Sequence, residues 1–196
     1  MKTTYTLVGI GFIIILGAFV FLSQTAEAPV LPESDTLSNE MELTSAAFEN
    51  GQRIPSKYTC DADNISPPLE VRGVPENARS LVLIMDDPDV PKSLRPDGVF
   101  DHWVVYGIDP ATTVIPEASV HGTRGLNGAG KDSYAGPCPP PEYEPTEHRY
   151  FFKLYALDTT LNFIKQPTKQ EVLDAIQSHV IAEAELMGRY ERAREQ

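Results

Sequence analysis

The sequence predicts a mainly β domain carrying one helix near its C-terminus. Three observations lead there. The 196 residues include 17 prolines and 13 glycines, enough turn formers to break a chain into many short segments. Residues 80–85, 102–108 and 148–157 are rich in aliphatic, β-branched and aromatic side chains and are bounded by turn residues. Only one stretch, beginning after Pro167, has helical spacing.

Each element has its own signal. Ser-Leu-Val-Leu-Ile-Met at 80–85 is an unbroken apolar run, the pattern of a buried strand. His-Trp-Val-Val-Tyr-Gly-Ile at 102–108 stops at Asp109-Pro110, a turn signal. Residues 148–157 hold Tyr150, Phe151, Phe152, Leu154 and Tyr155. Residues 41–48 and 69–71 are weaker strand candidates. Residues 120–147 collect glycines and prolines and read as a long irregular segment, either functional or a solvated insertion. Thr168 and Glu171 form a capping box. Val172, Ile176, Val180 and Ala184 then recur every fourth residue, widened by Leu173 and Met187, which predicts a helix through this whole stretch.

The N-terminus is read as a targeting element. Lys2 precedes an uncharged apolar run from Leu7 to Leu22. Ala26-Glu27-Ala28 offers the small residues of a cleavage site, and Pro29 disfavours the cut. Residues 1–26 are therefore a cleaved signal peptide or a single membrane anchor over residues 5–22, and both place the remainder in the periplasm or outside the cell. Residues 27–40 are acidic and interrupted by Pro29 and Pro32, a linker. The folded domain is expected over residues 41–196. The first cysteine is Cys60, so no lipidated cysteine sits beside the apolar run. A net charge of −12 repels nucleic acid, which is excluded as a partner.

Cys60 and Cys138 are the only cysteines. They are two buried thiols or one bridge, and the oxidising compartment favours the bridge. Nothing resembles a Cys-x-x-Cys or clustered metal-ligand pattern, so neither a metal nor another cofactor is implied.

Polar signals gather at strand ends. Asp86-Asp87-Pro88-Asp89 follows the first strong strand, Asp101-His102 opens the second, Tyr134 through Pro140 ends the glycine-rich segment and His148-Arg149 opens the third. If these strands are neighbours, Asp87, His102, Tyr134 and His148 meet at one rim. Imidazole, phenol and free backbone N–H groups near glycine are suited to phosphate oxygens. Asp87 would orient His102 and raise its pKa. The bland alternatives are specific: His102 a satisfied core histidine, Tyr134 ordinary packing, Asp89 and Asp97 turn formers, His121 and His179 structural, Arg149 an ion-pair partner.

The order of these motifs carries a resemblance. Tyr58-Thr59-Cys60-Asp61 with Asn64-Ile65-Ser66-Pro67-Pro68-Leu69, Asp87-Pro88-Asp89-Val90-Pro91, Asp101-His102-Trp103-Val104-Val105, residues 125–140 and His148-Arg149-Tyr150-Phe151-Phe152 resemble the phosphatidylethanolamine-binding protein family, in its bacterial and archaeal Raf-kinase-inhibitor-like branch. The resemblance spans residues 43–189. It implies a central antiparallel sheet, a second smaller sheet and few helices. It also implies a rim pocket for phosphate-like or carboxylate anions, formed by Asp87, His102 and Tyr134, with Gly136 and Pro137 in its backbone wall and His148 close by.

Three functions compete. The first is a non-enzymatic binding or regulatory protein holding a small anion or phospholipid headgroup. The second is an inhibitor of a secreted protease or kinase acting through residues 91–100 or 139–145. The third is a hydrolase using Asp87 and His102 as a general base pair or as metal ligands, the latter disfavoured because no third ligand stands at suitable spacing. No activated nucleophile is evident, and no Gly-x-Ser-x-Gly elbow occurs, so no catalytic residue is assigned and the first is preferred.

Overall fold

In the structure, a computed structural model, Met1 and residues 40–119 and 121–193 are described. The expected signal or anchor at residues 1–26 and the linker at 27–40 fall, Met1 and Glu40 apart, outside them. Among the described residues, no helix is long and apolar enough to cross a membrane.

Among the described residues, eight strands form two antiparallel sheets. The small sheet runs in the order β1 (Glu42–Thr44), β2 (Leu69–Arg72), β5 (Val114–Ile115). The large one has the order β6 (Thr123–Arg124), β4 (Phe100–Ile108), β3 (Ser80–Asp87), β7 (Glu147–Leu157), β8 (Val180–Glu191). Both sheets contribute to one core, with Leu43, Leu69, Val71 and Ile115 from the small sheet against Leu83, Met85, Trp103, Tyr150 and Phe152 from the large one. Each aliphatic side chain wholly buried there stabilises the fold by about 1.5–3 kcal/mol.

The apolar run at 80–85 is explained by its place in the middle of the large sheet. Side chains alternate between faces along a strand. Leu81, Leu83 and Met85 enter the core between the sheets, while Val82 and Ile84 enter a second cluster with Val104, Tyr106, Val172 and Ile176. The second cluster covers the outer face of the large sheet with α1 (Lys169–Ile176). Both faces of β3 are dry, so from Leu81 to Met85 neither shows a polar residue.

The helix starts as predicted and stops early. Thr168 is its N-cap, with Glu171 N–H donating to Thr168 Oγ1 at 3.3 Å and Thr168 N–H donating to Glu171 Oε2 at 2.8 Å. It ends at Ile176, and residues 180–191, read from sequence as its continuation, are strand β8. The four-residue recurrence of Val180 and Ala184 is overridden by a two-residue one. Ala182, Ala184, Leu186 and Tyr190 pack on the inter-sheet core, while Glu183 and Glu185 alternate with them. β7, eleven residues long, needs a partner along its free edge, and β8 supplies it over nearly the full length. Among its described residues, the segment read as one long loop holds β6, a bridge between Leu126 and Thr168, and the first residue of β7.

Candidate functional site

The two-residue alternation places two of the expected site residues without further device. Asp87 continues the inner series Leu81, Leu83, Met85 beyond the core. His148 continues the inner series Leu154, Phe152, Tyr150 in β7. Asp86, one residue earlier, faces outward to Lys153 Nζ at 3.1 Å and Lys169 Nζ at 3.5 Å.

His102 is out of phase and is brought in by a β-bulge. Trp103 and Val105 face the inner core, so plain alternation would send His102 outward with Val104. The β3–β4 register instead steps from Met85↔Trp103 to Asp86↔Asp101, leaving His102 as an extra residue on β4. Asp101 resumes the outer phase and meets Lys169 Nζ at 2.5 Å. His102 turns inward beside Phe100 and Tyr150, with ring centroids 4.8 and 5.1 Å away.

Asp87, His102 and His148 therefore meet. His148 Nδ1 lies 2.7 Å from Asp87 Oδ2, and His102 Nε2 lies 4.0 Å from the same oxygen. Asp87 Oδ1 accepts from the Asp89 N–H at 2.8 Å. His102 Nδ1 donates to the Ala135 carbonyl at 2.5 Å. All three side chains are buried. They line a cavity of 350 Å³ together with Asn64, Val90, Phe100, Ala135, Gly136, Pro139, Pro140 and both cysteines.

The outer wall is built from two loops fastened to each other. Cys60 and Cys138 form a disulfide, with Cα atoms 5.4 Å apart. Cys60 N–H donates to Pro137 O at 3.1 Å, Gly136 N–H donates to Asn64 Oδ1 at 2.8 Å, and Tyr134 Oη donates to Tyr58 O at 2.8 Å. Gly136 is required by close approach: a Cβ there would sit 2.5 Å from Asn64 Oδ1 and 2.6 Å from Tyr58 O.

Several expectations need correction. Tyr134 does not line the cavity. It packs on the inter-sheet core, edge-on to Trp103 at 5.6 Å, its hydroxyl spent on Tyr58, and burial pushes its pKa up. Pro137 does not line it either, because its carbonyl is turned to Cys60. Gly136 does line it, yet its N–H is engaged by Asn64 and is not free for an anion. Asp87 makes its short contact with His148, and the Ala135 carbonyl orients His102. Nor is His102 raised in pKa. Burial lowers it, outweighing the opposing pull of Ala135 and of Asp87, Asp101 and Asp86. Asp89 is more than a turn former: its carboxylate takes Arg149 Nη2 at 2.7 Å and Nε at 2.8 Å, and this ion pair holds Asp89 below the usual carboxylate range. His179 has a partner, Asp158 Oδ1 at 2.8 Å.

Sequence reasoning missed Asn64, Val90, Phe100, Ala135, Pro139 and Pro140 as wall residues. Phe100 was findable, since two residues before His102 it returns to the inner face once a bulge is allowed. Asn64 stood in the Asn-Ile-Ser-Pro-Pro motif, but its left-handed backbone, φ 56°, which places its amide against Gly136, has no signature in one sequence.

The architecture and motif order agree with comparisons to known proteins. A model described as phosphatidylethanolamine-binding protein matches residues 44–191. A UPF0098 protein of Chlamydia trachomatis is 48% identical over 153 residues, covering 78% of this chain and 99% of the relative. One from Methanothermobacter thermautotrophicus is 46% identical over 162 residues, with 78% and 99% coverage. Among solved structures, a PEBP homolog from Chlamydia trachomatis superposes with a TM-score of 0.75 at 48% identity, covering 80% of this chain and all 100% of that one. Escherichia coli YbcL gives 0.69 at 27% identity, with 79% and 99% coverage.

Proposed function

Because the chain belongs to the phosphatidylethanolamine-binding protein family, we propose that it is a non-enzymatic binding protein whose cavity holds a small phosphate-like oxyanion, free or as a headgroup. The observation that carries this reading is the meeting of Asp87, His102 and His148, from three different strands, in one 350 Å³ cavity behind a disulfide-fastened wall. Its size suits a phosphate and a few further atoms. Proline-rich walls keep the site formed before the ligand arrives, which lowers the cost of ordering on binding.

Binding is favoured over hydrolysis. Asp87 and His102 stand 4.0 Å apart, beyond hydrogen-bond reach, and His148 occupies the carboxylate instead. The cavity wall includes no serine or threonine, and both cysteines are in the disulfide. That disulfide also supports an exported location, in line with the apolar segment before the domain.

Calorimetric titration of the chain with phosphate and phosphoethanolamine tests the proposal. Saturable binding that is lost in His102→Ala is expected. Equal binding by the variant, or none by the parent, counts against the cavity. Steady turnover of a phosphoester, lost in Asp87→Asn, would move the protein to the enzymes.

A further inference from the structure

For the site proposed above, on which this step rests, we infer that Lys169 is a positioning residue: from α1, on the far side of the large sheet, it holds the β-bulge that turns His102 into the cavity.

The bulge decides which side chains reach the cavity. Met85 stands opposite Trp103. Plain antiparallel pairing would continue with Asp86 opposite His102 and Asp87 opposite Asp101. His102 would then point to the outer face, and Asp101 would enter the inner face beside Asp87. The observed register pairs Asp86 with Asp101 and Asp87 with Phe100. It brings His102 inward and sets two outward carboxylates opposite each other. Like charges directly opposite on neighbouring strands repel, and more strongly where water is scarce.

Lys169 answers that repulsion. Its Nζ lies 2.5 Å from Asp101 Oδ1 and 3.5 Å from Asp86 Oδ2. Lys153 also reaches Asp86, at 3.1 Å, but the ion pair of Asp101 comes from Lys169. The Lys169 side chain is 15% exposed, and those of Asp86 and Asp101 are 10% and 22% exposed, so solvent screens the three only in part. The helix itself gives no reason for a lysine here. Lys169 is the first residue of α1, where the aligned peptide dipoles disfavour a cation. The Thr168 cap and the bridge from Thr168 to Leu126 fix where the helix begins, and so where this lysine stands. From the loop side, Gly128 N–H donates to Asp101 O at 2.8 Å and Ala135 N–H to His102 O at 2.9 Å. Loss of Lys169 therefore loosens the bulge without abolishing it.

The charged and titratable groups around His102 are Asp86 and Asp87 of β3, Asp101 of β4, and His148 and Tyr150 of β7. Asp86 and Asp101 pull its pKa up against burial. Without Lys169 both act on the ring with less opposition, and a loosened bulge admits water. Either change raises the pH at which His102 titrates.

The test follows the imidazole rings by NMR through a pH titration of the full chain in mild detergent, for the parent, Lys169→Met and Lys169→Arg. His102 is expected to titrate at a higher pH in Lys169→Met and to lose ring contacts with Phe100 and Tyr150, with Lys169→Arg close to the parent. His179, beyond the other end of α1 on Asp158, is expected to stay unchanged. With Asp101→Asn already in place the repulsion is gone, and adding Lys169→Met is expected to move His102 much less. Calorimetric phosphate affinity at about pH 8, where imidazoles are neutral, is expected to fall about threefold or more in Lys169→Met. An unmoved His102, or unchanged affinity where the parent binds, in a Lys169→Met chain that only melts lower would overturn the inference and make this lysine a fastening of α1. An equal shift of His102 with and without Asp101→Asn would overturn it as well. Absence of phosphate binding by the parent would remove the anion reading of the cavity, and the His102 titration and ring contacts would still decide what Lys169 does.

Discussion

His148 Nδ1 lies 2.7 Å from Asp87 Oδ2, a contact between two buried side chains 61 residues apart in the chain. It ties the end of β3 to the start of β7 where the apolar core has run out. A buried hydrogen bond to a charged group is strong, and removing one partner leaves the other unsatisfied. His148→Ala is expected to destabilise the domain by about 3 kcal/mol. The Asp87→Ala, His148→Ala pair is expected to lose much less than the sum of the singles. Urea unfolding of the four proteins measures this, and additive losses would show that the contact contributes little.

His102 gives the domain a pH dependence with a definite sign. Its pKa in the folded chain is lowered from 6.5, with burial the main cause. The unfolded chain therefore takes up a proton near pH 6.5 that the folded chain resists. The contribution to stability is fully present above that pH and is lost as the pH falls through the lower folded value. Melting temperature should drop on acidification from about pH 7.5 to 5, less steeply in His102→Gln. Equal slopes for the two proteins would assign the acid sensitivity to another group.

Asp87 and His148 were legible in the sequence because a two-residue period, once anchored on Leu83 or Phe152, fixes which face each next residue takes. His102 was found by type and motif order, but its direction was not legible. A bulge depends on how two strands register, and a single strand's pattern cannot show it. Tyr134 misled for a related reason. A tyrosine beside glycines and prolines fits a ligand loop and a loop anchored to the core equally well, and Tyr58 O, 76 residues away, decides between them. At β8 two periods competed in one stretch. Ala182, Ala184 and Leu186 fit a strand and Val180, Ala184 and Met187 fit a helix, and the open edge of β7 settled the matter.

Gly136 is the tightest point of the cavity wall. Its missing Cβ is what lets the segment at residues 58–60 approach, with Thr59 Cα only 2.9 Å from where that carbon would sit. Two of the neighbours are backbone atoms and cannot swing aside. Gly136→Ala is expected to cost about 1–3 kcal/mol by overpacking and to weaken phosphate binding, because Asn64 must leave the Gly136 N–H. Thermal melts and the same calorimetric titration check both. A variant that melts and binds like the parent would mean the two loops part without penalty.

The disulfide is the covalent member of the same latch, closing a loop across a sequence separation of 78. Its removal frees the unfolded chain far more than the folded one, because Cys60 N–H to Pro137 O, Gly136 N–H to Asn64 Oδ1 and Tyr134 Oη to Tyr58 O still join the loops. For a loop of this length the chain-entropy estimate is about 4 kcal/mol. Cys60→Ala with Cys138→Ala should therefore lower unfolding stability by about 3–4 kcal/mol while phosphate affinity, measured well below the melting temperature, changes by less than about threefold. Loss of affinity without loss of stability would invert the assignment and make the bridge a direct ligand contact instead of a fastening of the wall.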